Sequence, residues 1–125
     1  MDIKRFKQRI EIYLNQDNYA LFIETITKAD INLQNYVLYL NTIKEAMKNK
    51  LLEQDPFEIS SSIKLEEVYG FRTKEKTYIE ILPDLHNAIL VIFRKKLNLN
   101  SIKYEDEEKV KEIEKNLENF NERFM

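Results

Sequence analysis

A single glycine, Gly70, occurs among the 125 residues of this chain, and that scarcity restricts its fold more than any motif does. Tight hairpin turns need residues at positive φ, which glycine occupies at no steric cost. A sandwich or barrel with many such turns is therefore disfavoured. Rossmann-like and P-loop sites need several glycines where backbone meets phosphate, and one glycine cannot supply them. The expected fold class is mainly α, a compact bundle of five or six helices.

The length suits one core, which should bury roughly two-thirds of the surface exposed by the unfolded chain. An apolar share of 43% argues against disorder and for a single helical domain over residues 1–125. Twenty basic and 22 acidic side chains leave a net charge of −2, which is no footprint for a general nucleic-acid binder. The absence of cysteine excludes disulfides and thiolate metal sites and suits a reducing compartment. The longest apolar run, Ala88 to Phe93, is far shorter than the ~20 residues of a membrane span. The first residues turn amphipathic at once, without the apolar stretch of a secretion signal. The expectation is a protein of the cytoplasm, or of a virion interior, with no membrane association.

Helical periodicity is clear in the first half. Ile3, Phe6, Ile10, Tyr13 and Leu14 share one face. Asp17 is expected to cap a second helix carrying Tyr19, Phe22, Ile23 and Ile26, and Asp30 a third. The stripe of the third runs Leu33, Tyr36, Val37, Leu40, Ile43, Met47, Leu51 and should stop before Asp55-Pro56. Short connections favour antiparallel neighbours.

Residues 63–82 admit two readings. Alternation over Ile63, Leu65, Glu67, Tyr69 and Phe71, with a β-prone stretch from Thr77 to Leu82, predicts a β-hairpin turning near Arg72-Thr73-Lys74. The spacing of Tyr78, Ile81, Leu82, Leu85 and Ile89 predicts a helix instead, with Thr77 and Glu80 as a capping box. Pro83 would then sit inside that helix at a cost of about 3 kcal/mol, unless the helix starts near Pro83 or Asp84. Residues 84–97 should form the most buried helix, closed by Arg94, Lys95 and Lys96 at the negative end of its dipole. The segment 104–125 reads as a terminal amphipathic helix with a narrow seam of Val110, Ile113, Leu117, Phe120 and Phe124.

Little in the chain suggests catalysis or a cofactor. His86 is the only histidine, so a His-His metal site within one chain is impossible. Glu80, Asp84 and His86 are close enough in sequence to act as acid–base partners, but a helix cap and an exposed first turn explain them as well. Ser60, Ser61 and Ser62 read as a loop or helix cap. No cofactor is expected, and the chain is expected not to be an enzyme.

Charge is distributed unevenly. Residues 94–103 carry four basic side chains and no acidic one, and residues 104–125 carry eight acidic and four basic. Dipole complementation accounts for this, and so does docking between opposite-sign patches. The leading expectation is a small interaction subunit or adaptor in a larger assembly, binding a protein partner or self-associating. The partner surface would be the seam Val110, Ile113, Leu117, Phe120 and Phe124, with Arg94, Lys95 and Lys96 as a docking patch. The wealth of Lys, Asn, Ile and Glu fits the AT-rich coding of a low-GC bacterium or its phages but carries no functional information; a phage or mobile-element origin is an expectation attached to the adaptor reading. The alternative is a helix-turn-helix DNA-binding regulator using residues 62–81. Against it, Glu66 stands where helices must approach closely, and Lys76 where an apolar contact is usual.

Overall fold

The computed structural model describes residues 2–51, 62–72, 76–98 and 107–124. Among them six helices and no strand occur: α1 (Ile3–Asn15), α2 (Tyr19–Lys28), α3 (Tyr36–Leu51), α4 (Ile63–Tyr69), α5 (Tyr78–Leu97) and α6 (Glu107–Phe124). The mainly α expectation holds. No described helix is long and apolar enough to cross a membrane.

The expected stripes of α1 and α2 fold inward. Phe6, Ile10 and Leu14 of α1, and Tyr19, Phe22, Ile23 and Ile26 of α2, are buried. Asp2 caps α1 by accepting from the Arg5 amide at 2.8 Å. The cap of α2 is Asn18, accepting from Leu21 N–H, and not Asp17. Asp17 instead adopts a left-handed φ of 53°, and its carboxylate turns inward to meet Lys50 of α3. The start of α3 is likewise organised by Asn32 and Asn35, not by Asp30. Asn32 Oδ1 accepts from the amides of Gln34 and Asn35, and Asn35 Oδ1 accepts from that of Asn32.

The Asp17–Lys50 contact ties α3 to the α1–α2 corner. The Lys50 ammonium is buried, 2.7 Å from Asp17 Oδ1, and donates to the Leu14 carbonyl at 2.6 Å. It therefore brings a donor to the last turn of α1, where carbonyls run out of intrahelical partners. Tyr19 O–H donates to the same carboxylate oxygen at 3.0 Å. The Tyr78 ring lies 5.2 Å from the ammonium, and Tyr78 O–H donates to the Met47 carbonyl at 3.1 Å. Burial raises the pKa of the Tyr19 phenol, and the Asp17 charge raises it further; burial raises that of Tyr78. Both rings remain neutral donors.

Residues 63–82 contain no strand among the described positions, so the hairpin alternative is corrected to two helices. Ser62 caps α4 by accepting from Leu65 N–H, as the serine cluster suggested. Gly70 ends α4 at φ 73°, a left-handed cap at which a side chain would clash, and its amide bonds the Leu65 carbonyl. Phe71 then folds back into the core. At the start of α5 the Thr77–Glu80 capping box is complete. That box starts α5 ahead of Pro83, leaving the proline in its second turn. Pro83 offers no N–H to the Ile79 carbonyl. The helix runs through it because its later turns are held by burial: Leu85, Ala88, Ile89, Val91, Ile92 and Phe93 are all in the core. Asn98 ends α5 in the left-handed region. Arg94, Lys95 and Lys96 occupy its last turn, as expected. Asp55-Pro56, Ser60-Ser61 and Thr73-Lys74, where the hairpin alternative puts its turn, lie outside the described residues.

One cluster of buried side chains draws on all six helices. Helix α5 is its spine, packing against α2, α3, α4 and α6, while α1 packs on α2 and α3 and α4 packs on α6.

Candidate functional site

The terminal seam faces the chain's own interior. Ile113 and Leu117 are 1% and 7% exposed, and Phe120 packs partly buried on the core. The backbones of Val110 and Phe124 belong to α6, and their side chains lie outside the described residues. Polar contacts close the same flank. Arg94 pairs with Glu114 at 3.0 Å across α5 and α6, and Arg123 pairs with Glu67 of α4. Lys96 donates to the Ala29 carbonyl at the end of α2 at 2.6 Å. Partial burial lowers its pKa, against the pull of Asp30. Of the three expected docking cations, Lys95 alone is exposed, beside Lys64 at a hollow of about 170 Å³.

The acid–base trio does not converge. Glu80 accepts from Thr77 in the capping box. Asp84 lines a polar hollow on the α4–α6 side with Glu66, Arg72, Lys76 and Glu112. His86 lines a different depression, towards α3. Two residues apart on a helix means about 200° of rotation, which puts Asp84 and His86 on opposite sides.

That second depression, with a volume of about 620 Å³, is the candidate site. It lies between α3 and α5, beyond the point where Tyr78 holds Met47. One wall is Leu40, Ile43, Lys44 and Met47 of α3. The other is Ile79, Leu82, Pro83, His86, Asn87, Ile89 and Leu90 of α5. The floor residues Ile43, Met47 and Ile89 are buried. The apolar wall is open at Ile79, which is 55% exposed, and Val37, one turn ahead of Leu40 on α3, is 53% exposed.

The core face of α3 keeps Ile43 and Met47 of the expected stripe but departs from it towards the start of the helix, and the groove opens there. That core face is Tyr39, Ile43, Ala46, Met47 and Lys50, with Tyr39 edge-on to Phe6 at 4.7 Å. Leu33 and Val37, expected on the buried stripe, are turned outward, and Leu40 is only partly buried. The signal for this is the run Val37-Leu38-Tyr39-Leu40, more apolar residues in succession than one helix face can bury. Exposed Ile12, Leu21 and Ile63 stand singly on α1, α2 and α4, as scattered apolar residues on ordinary surfaces do.

No protein-family model, curated protein or solved structure matches the chain.

Proposed function

We propose that this chain is a non-enzymatic interaction subunit or adaptor that receives a helix of a protein partner in the groove between α3 and α5. The reading rests on one observation: a chain that buries most of its apolar side chains in one core leaves an apolar hollow open between α3 and α5, with half-exposed Ile79 in its wall. Contiguous exposed apolar surface of this kind marks contact sites. The separation of Asp84 from His86 supports a binding role over an acid–base one.

The shape favours a helix as occupant. Val37, Leu40, Lys44 and Met47 recur at intervals of three and four along α3, as do Ile79, Pro83, His86 and Leu90 along α5. Two such ridges leave a seat for a third helix packed ridges-into-grooves. An extended segment suits the site poorly. Its backbone N–H and C=O groups would face mainly apolar side chains, whereas a helix satisfies its own.

Affinity capture with the tagged chain, run beside Ile79→Asp and Ile12→Asp, tests the reading. A partner retained by the native chain and Ile12→Asp but lost by Ile79→Asp supports it. A partner held equally by all three, or no captured protein at all, contradicts it.

A further inference from the structure

The groove also carries a charge pattern that restricts its partner, provided that the groove is the docking site proposed above. The chain has 22 acidic side chains, yet no carboxylate lines this groove among the described residues. Its polar lining consists of Lys44, His86 and Asn87. Lys44 lies between Leu40 and Met47 within the α3 stripe, and His86 lies between Pro83 and Leu90 within the α5 stripe. Both side chains are solvent-exposed in the chain alone, so the Lys44 ammonium can be hydrated there.

A helix seated between the two ridges removes that water. A desolvated ammonium in an apolar seam is strongly unfavourable unless a carboxylate or several oxygens meet it. A backbone carbonyl of the incoming helix is already engaged in its own ladder, so the compensating group must come from a side chain. A polar residue in the middle of an apolar seam also sets register, since sliding by one turn separates the pair. From Ile79 to Leu90 the α5 wall is about 16 Å long at 1.5 Å per residue, room for about three helical turns.

We infer that the partner helix carries an apolar stripe at three- and four-residue spacing, interrupted near its centre by one Asp or Glu that pairs with Lys44 beside His86. A second copy of this chain fits less well. The stripe of its most polar amphipathic helix, α6, is committed at Ile113 and Leu117 to its own core.

The test is a displayed library of amphipathic helices about four turns long, with apolar positions fixed and the central stripe position fully randomised, selected on the intact chain. Selections on Lys44→Glu and Ile79→Asp run alongside, and both sites are exposed enough to leave the fold intact, checked by thermal melting. The expected result is enrichment of Asp and Glu at the central position. Those helices should bind Lys44→Glu at least about tenfold more weakly, while selection on that variant should enrich Lys and Arg. Enrichment that depends on Ile79 but shows no acidic preference overturns the charge inference and leaves the docking reading standing. Helices that bind Ile79→Asp as well as the native chain, or no enrichment of any helix, overturn both. Concentration-dependent self-association abolished by Ile79→Asp replaces the partner with a second copy and likewise overturns the inference.

Discussion

The two flanks of α5 are built from similar residues and end in opposite states. Towards α4 and α6 its apolar side chains are covered: Ile113 and Leu117 descend onto the helix, the hollow at Asp84 is polar, and the Arg94–Glu114 pair lies over the seam. Towards α3 it is held near its first turn, where Tyr78 reaches Met47 and Lys50, and beyond that point the walls leave a groove over the buried floor of Ile43, Met47 and Ile89. Apolar composition alone therefore does not decide what is core. The difference arises from the anchor. A buried lysine fixes the roll of α3 so that Tyr39, Ile43 and Ala46 face inward, and Val37 and the outer side of Leu40 are left for another surface.

The largest expected effect comes from breaking that anchor. Asp17→Ala leaves the Lys50 ammonium buried without its carboxylate and should destabilise the chain by about 3–5 kcal/mol in a urea titration. A loss under about 1 kcal/mol would mean that packing, and not the ion pair, holds α3 in place. Next is the sealed flank, where Ile113→Ala should cost about 2–4 kcal/mol by the same titration because its cavity lies in the core. A near-neutral result would show that α6 rests on the bundle only loosely. Thr77→Ala removes one half of the capping box at the start of α5 and should cost about 1 kcal/mol, read as a lower melting temperature. On the open flank, Ile79→Ser should change stability by no more than about 0.5 kcal/mol, since the side chain is half-exposed before any partner arrives. A larger loss there would make the groove wall part of the core and erase the contrast.

How much of this was legible in the sequence depended on how local the physics was. The stripes of α1 and α2 and the Thr77–Glu80 box are decided within one or two turns of chain, and they emerge as read. Asp17 shows the limit. An aspartate before a helix looks alike whether its carboxylate meets a nearby amide or a lysine 33 positions later, and only the fold brings Lys50 to it. The roll of α3 was hidden for the same reason, because its true core face contains that lysine while Leu33 and Val37 of the apolar stripe face out. Between Ile63 and Phe71 the stretch is too short to separate a period of two from one of 3.6. Leu65, Tyr69 and Phe71 do face inward, but through a short helix ended by Gly70, whereas Ile63 remains exposed. The α6 seam was visible as an apolar stripe, but whether its occupant is another protein or its own bundle is a tertiary fact.

The open flank is probed most closely by amide NMR of the chain titrated with an acidic amphipathic helix selected on it. Shift changes are expected to concentrate at Leu40–Met47 and Ile79–Leu90 and to vanish in Ile79→Asp. Changes concentrated along Ile113–Phe120 would instead return the contact surface to the helix that the structure folds against its own core, and the groove would lose its role.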